Sequence, residues 1–158
     1  KFLFTIEFFP EEGKYHFDGH RACNICFSPE QTKIHNGICP VCKKPLVVGV
    51  LNRVAELADK QFGFKPKNVI PYKSLVPLRE LIGEVFGVGP SSKKVDIQYQ
   101  ELIKNCGSEL EILLNIPIEK LKEKTLSNIA LAIDLMRQGK VQATPGYDGV
   151  YGKIKVLV

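Results

Sequence analysis

Two C-x-x-C pairs stand close together in the chain, with the spacing Cys23-x2-Cys26-x12-Cys39-x2-Cys42. Four thiolates so placed suit zinc, which binds sulfur at about 2.3 Å in a tetrahedron, each short turn bringing two sulfurs to one side. Gly37 before the second pair, and Pro40 and Pro45 around it, fit two tight knuckles joined by a short hairpin. A shell filled by four protein ligands has no position for water, so the site reads as structural rather than catalytic. Five cysteines in a sequence that shows no signal-peptide pattern point to metal rather than disulfides. The fifth, Cys106, falls beside Ile103 on a helical pattern and reads as a small buried hydrophobe. His16, Asp18 and His20 spell H-x-D-x-H, which has the chemistry for a second metal; the plainer reading is surface or interdomain hydrogen bonding. With four cysteines in the shell, neither these histidines nor His35 has a vacancy to fill.

A second kind of chemistry is electrostatic. The net charge is +5, and between Lys60 and Lys94 seven basic residues face two acidic ones, which accounts for the whole excess. Such a stretch favours a polyanion. Inside it, Phe86-Gly87-Val88-Gly89-Pro90 joins two helical patterns in the manner of a helix-hairpin-helix, where backbone amides meet a phosphate at a helix N-terminus. The candidate DNA contacts are Gly87, Gly89, Lys93 and Lys94, with Lys73 and Arg79 beside them. Gly89→Val is expected to do damage comparable to the loss of Lys93 and Lys94 if Gly89 holds a positive φ there.

The elements that must position these groups follow from periodicity. Residues 1–9 alternate with both faces apolar, which predicts a strand expecting cover on two sides, the end of a preceding domain or an edge strand. Residues 10–22 are a connection and 23–49 the cysteine module. Val50, Val54, Leu57 and Ala58 predict a helix, followed by a basic linker to residue 73. A helix is expected from Ser74, with Pro77 in its first turn and Leu75, Leu78, Ile82 and Val85 on one face. Ser91 or Ser92 caps the next, which carries Val95, Tyr99, Leu102 and Ile103. Ser108 with Glu111 reads as a capping box for a short helix, and Pro117 starts another. Thr125 opens what reads as the longest helix, with Leu126, Ile129, Ile133 and Met136 inward. A turn-rich TPGYDGVYG then leads to a strand in which Ile154, Val156 and Val158 alternate. The fold class expected is α+β: a zinc-ribbon-like four-cysteine module, then a small helical module over 74–158 with a short C-terminal strand. Apolar residues at 44% and charged residues at 25% are a globular balance. No run is long and apolar enough for a membrane span, so a cytoplasmic location is expected.

Three blocks, EFFPEEGKYHFDGHRACNIC, GICPVCKKPLVVGVLNRVAELAD and VQATPGYDGVYGKI, closely resemble the part of endonuclease Q that follows its polymerase-and-histidinol-phosphatase-type (PHP) nuclease domain. The resemblance runs from about Glu7 to Ile154. It implies a parent DNA repair endonuclease that nicks 5′ of deaminated bases or abasic sites, with the family's cysteines falling on Cys23, Cys26, Cys39 and Cys42. The metal-binding residues of a PHP active site lie N-terminal to this region, so Mg²⁺ or Mn²⁺ is expected only there. The chain is therefore expected to bind DNA containing deaminated bases, to work with its own nuclease domain, and not to cut by itself. The alternative is a zinc-ribbon docking module for protein partners without nucleic-acid contact. Linker tyrosines (Tyr72, Tyr99, Tyr147, Tyr151) are candidates for stacking, each more ordinarily a packing residue.

Overall fold

Turn residues interrupt every apolar run, and the elements are correspondingly short. The computed structural model describes residues 2–61 and 63–156. Strands are β1 (Thr5–Glu7), β2 (Asp18–His20), β3 (Ile25–Phe27), β4 (Tyr72–Ser74), β5 (Gln142–Thr144) and β6 (Lys153–Lys155). Helices are α1 (Pro29–Ile34), α2 (Val50–Leu57), α3 (Leu78–Phe86), α4 (Lys93–Cys106), α5 (Glu109–Leu114), α6 (Ile118–Lys124) and α7 (Ser127–Arg137). The strands form three two-stranded sheets, β1 with β4, β2 with β3 and β5 with β6. The mixed α+β composition agrees with the sequence reading. Val158, expected to continue the last strand's face, lies outside the described residues.

The chain forms two compact units. The first takes the residues through Thr5, Phe9–Tyr72 and Ala143–Ile154; the second takes Ile6–Phe8, Lys73–Gln142 and the residues from Lys155 onward. The cysteine segment thus folds together with residues 9–22 and with the turn-rich segment 143–154, not by itself.

The first unit has almost no apolar core: Cys39 and Leu46 are the buried hydrophobic residues described in it. Polar groups take the interior instead. The Asp18 carboxylate, 1% exposed, accepts from the Gly49 amide at 2.6 Å, from Thr32 Oγ1 at 2.5 Å and from Asn52 Nδ2 at 2.5 Å. It thereby ties β2 to α1 and to α2. That use of Asp18 is buried and structural, where the sequence suggested surface or interdomain bonding or a second metal. α2 forms where its apolar spacing predicts, but it turns the other side inward. Asn52 is buried, while Val50, Val54 and Leu57 are exposed by 64%, 53% and 67%.

The second unit is an ordinary apolar core. Leu78, Leu81, Ile82, Val95, Leu102, Ile112, Leu121, Ile129 and Ile133 are fully buried. α3 packs on α4 and α7, and α7 also on α5 and α6. Ser92 caps α4 by accepting from the Val95 amide. Ser108 caps α5 through the Glu111 amide, whereas the Glu111 carboxylate accepts from Asn115, so only half of the expected capping box forms. α3 starts at Leu78, not Ser74, because Pro77 sits at its N-cap and holds the preceding residue extended, leaving Ser74 to strand β4. α4, with 14 residues, is longer than α7 with 11, and Leu126, expected inward, is 50% exposed. Glu109 braces two helices: one carboxylate oxygen accepts the Leu78 amide at the start of α3, the other the Tyr99 hydroxyl of α4. That carboxylate also raises the Tyr99 phenol above its ordinary pKa.

Arg137 closes the C-terminus of α5. Its guanidinium donates to the carbonyls of Leu113 at 2.9 Å, Ile116 at 2.7 Å and Ile112 at 2.6 Å, acceptors that a helix end otherwise leaves open. Burial lowers the pKa of this guanidinium, yet an arginine stays charged. Arg137→Ala strands three carbonyls at once. The expected loss in urea melts of the chain is about 2–4 kcal/mol, and Arg137→Lys, with no planar fork, recovers only part of it.

Candidate metal centre and nucleic-acid interface

In the first unit, the side chains of His20, Cys23, Cys39 and Cys42 converge, with their ligand atoms all within 4.8 Å of one another. Three of the four cysteines grouped by spacing are therefore together, and His20 stands where Cys26 was expected. The backbone explains this. β2 and β3 pair antiparallel with Gly19 opposite Cys26 and His20 opposite Ile25. Directly paired residues share a face and neighbours alternate, so His20 and Cys26 project to opposite sides. On Cys26's side lies the segment after β5: its Sγ is 4.0 Å from the Pro145 carbonyl, and a Cβ on Gly19 would collide with the Tyr147 ring.

The two halves of the cluster share one local plan. His20 precedes and Cys23 ends a 3-10 turn, Arg21–Cys23, and the next residue, Asn24, is left-handed at φ 53°. Cys39 and Cys42 are likewise three apart, and the next residue, Lys43, is left-handed at φ 61°. The second knuckle is closed by hydrogen bonds from Lys43 N to Cys39 O and from Cys39 N to Lys44 O. Cys42 Sγ lies 3.7 Å from Nδ1 and 3.9 Å from Nε2 of His20.

The sulfurs differ electrostatically. Burial, with the Cys42 and Cys39 sulfurs as neighbours, pushes the Cys23 thiol up to about 11. Burial works the same way at Cys39, but backbone amides of Cys42 and Val41, together with hydrogen bonds from the Cys42 and Cys23 thiols, outweigh it and hold the thiol below its ordinary value. Amides aimed at a sulfur favour thiolate, the form that binds metal. One imidazole and three thiolates in a ring of this size form a set suited to a tetrahedral ion. Burial also raises Cys26, without any such amides. His16 stacks on Phe17 and His35 on Phe27, and neither belongs to the cluster.

In the second unit, the loop between α3 and α4 carries Gly87 and Gly89, and the first turn of α4 carries Lys93 and Lys94, four of the six residues read as DNA contacts. Gly87 ends α3 in the left-handed region at φ 66°; Gly89 does not have a positive φ. The steric demand that the sequence placed at Gly89 belongs to Gly87, and also to Gly83. A Cβ on Gly83 would come within 2.8 Å of the Val88 carbonyl, so its absence lets the loop fold back on α3. The Val88 amide then donates to Gly83 O, and Ser92 N to Gly89 O. Among the described residues the Gly89 and Ser91 amides make no backbone hydrogen bond. The first amides of α4, Lys93 and Lys94, have no intrahelical acceptor either. Lys93 opens α4, and the Lys94 ammonium sits 4.1 Å from the centre of the Phe86 ring. Arg79 reaches the first turn of α4 from α3. It pairs with Asp96 at 2.6 Å, lies over the Tyr99 ring and lowers the Asp96 carboxyl. It is the second residue of α3, about 12 Å of helix from Gly87. Lys73 lies in β4.

No helix among the described residues is long and apolar enough to cross a membrane. Residues 77–140 match the family described as the MJ0043 C-terminal domain. The uncharacterised protein MJ0043 of Methanocaldococcus jannaschii is 40% identical over 145 residues, 92% of this chain but 18% of that protein. Two solved structures share the fold. The lesion-specific endonuclease PfuEndoQ from Pyrococcus furiosus matches with a TM-score of 0.83 and 33% identity, over 96% of this chain and 37% of that one. Endonuclease Q in complex with a 27-mer duplex substrate carrying an abasic lesion matches at 0.80 and 32%, over 98% and 38%. The chain thus spans well under half the length of these relatives. Over nearly all of its own length it is similar to these endonuclease Q structures.

Proposed function

We propose that this chain is the DNA-engaging part of a lesion-specific repair endonuclease whose cutting site lies in another part of the polypeptide. The first unit is built around a structural zinc held by His20, Cys23, Cys39 and Cys42. The second unit grips phosphate through the hairpin between α3 and α4. What supports the zinc is the repeated knuckle plan, two ligands three apart followed by a left-handed residue, in a unit with almost no apolar core. A metal gives such a unit the folding energy that its core lacks. It takes no part in chemistry, since four protein ligands close the shell. With that ligand set, Cys26→Ser keeps about one zinc per chain and His20→Ala loses it on dialysis. Elemental analysis of both variants checks this; the opposite pattern restores Cys26 to the shell.

The observation that carries the DNA reading is the α3–α4 loop: open amides, a helix N-terminus and the lysines 93 and 94 on one short stretch. Similarity to an endonuclease solved on a DNA duplex supports it. Deaminated bases and abasic sites are the proposed lesions, with Mg²⁺ or Mn²⁺ in the nuclease domain of the longer protein. Lys93→Ala/Lys94→Ala should weaken binding of a fluorescein-labelled duplex by about tenfold or more at low salt. A control with the same charge change on α6, Lys120→Ala/Lys122→Ala, should not. Equal losses from both pairs would reduce the hairpin to a share of general charge. No loss from either favours the protein-docking alternative.

A further inference from the structure

The turn-rich segment 145–152 belongs to the first unit and is hydrogen-bonded into it. Asp148 at φ 42° and Gly149 at φ 83° form a two-residue primed turn, closed by reciprocal bonds between Tyr147 and Val150. Three glycine amides anchor it to the turn that precedes β2: Gly146 N to Glu11 O at 2.8 Å, Gly149 N to Lys14 O at 2.9 Å and Gly152 N to Glu12 O at 3.1 Å. The Asp148 carboxylate is used internally, accepting the Arg21 amide at 2.6 Å.

This frame gathers aromatic and cationic groups from three separate stretches of sequence. Tyr15 and Tyr151 are exposed by 45% and 69%. The Lys14 ammonium lies 5.8 Å from the centre of one ring and 5.6 Å from the centre of the other. Arg21 Nη1 and the Tyr15 hydroxyl both border the open face of Gly149, 3.6 and 3.7 Å from where a Cβ would stand. Among the described residues neither Lys14 nor Arg21 has an ion-pair partner. Tyr147 packs over Gly19 and Tyr99 on Glu109 and Arg79, while Tyr72, 66% exposed, lies in β4. Tyr15 and Tyr151 have no such use.

We propose that Tyr15 and Tyr151, with Lys14 and Arg21, form a stacking site for an unpaired nucleobase and its flanking phosphate. Every base has a π-face, so an exposed tyrosine with uncompensated cations beside it suits single-stranded nucleic acid of any sequence. A paired base is already stacked on both sides, and the site should discriminate against duplex. The hydrogen-bonded frame keeps the rings in place before binding, which lowers the ordering cost. This inference rests on the DNA reading above and adds to it the kind of strand engaged.

The test uses the whole zinc-loaded chain and two labelled probes, a fully paired duplex and the same duplex with unpaired 2-aminopurine in a short bulge. The bulged probe should bind more tightly than the paired one, with 2-aminopurine fluorescence quenched by stacking. Tyr15→Ala/Tyr151→Ala should lower affinity for the bulged probe about tenfold, abolish the quenching and leave the paired duplex unaffected. The corresponding double Phe variant should keep the quenching. Circular dichroism and zinc content verify that the Ala variant is folded. If neither probe binds at low salt, both this inference and the DNA reading fall. If both probes bind alike, or the Ala variant lowers both equally or neither, the stacking site alone is overturned.

Discussion

Cys39→Ser should unfold the first unit. Cys39 is the buried member of the cluster, and two backbone amides of its own knuckle are aimed at its sulfur. Structural zinc contributes about 10–16 kcal/mol to small modules of this kind. The unit has little else: two buried apolar residues cannot replace a metal of that strength. The expected result is a chain without bound zinc, with the first unit's amides exchanging freely and those of the second unit still protected. The apolar core of the second unit is independent of the cysteines, so its protection serves as the internal control. A Cys39→Ser chain with an intact, protected first unit would show that hydrogen bonds alone hold it.

The second large effect belongs to Asp18. Its three donors, from Gly49, Thr32 and Asn52, come from elements that otherwise share few apolar contacts, and Thr32 and Asn52 are themselves buried. Asp18→Ala removes the acceptor and leaves all three donors without one, at a cost of about 3–5 kcal/mol in urea unfolding of the zinc-loaded chain. Asp18→Asn keeps the shape but turns one acceptor into a donor facing donors, so it should recover only a fraction. If Asp18→Ala unfolds at the wild-type midpoint, the buried carboxylate is not what joins β2 to α1 and α2.

Much of this was legible in the sequence. The helices of the second unit followed from apolar spacing and serine caps, because there local propensity and burial agree. The cysteine cluster was legible in the sequence, but the place of His20 beside Cys23, Cys39 and Cys42 was not. HRACN and CNICF overlap at Cys23, and spacing alone favours the cysteine pair. A signal for the other choice was present. A knuckle needs a residue that tolerates the left-handed region just after its second ligand, and Asn24 does so far better than Phe27. The inward face of α2 was not legible. Its apolar stripe is exposed because buried Asp18 draws Asn52 inward, a pairing 34 residues apart that periodicity cannot show. Gly83 was hidden for a similar reason: only the fold brings the Val88 carbonyl onto α3.

The salt dependence of duplex binding by the unmodified chain bears most directly on the proposed function. Each phosphate neutralised on a duplex contributes about −0.9 to the slope of log affinity against log salt. With Lys93 and Lys94 each engaging a phosphate, the slope should be about −1.8 or steeper, a loss of about tenfold between about 50 and 200 mM salt. Fluorescence anisotropy of a labelled duplex at four or five salt concentrations measures it. Binding with a slope near zero, or no binding at the lowest salt, would contradict a phosphate-gripping role for this chain.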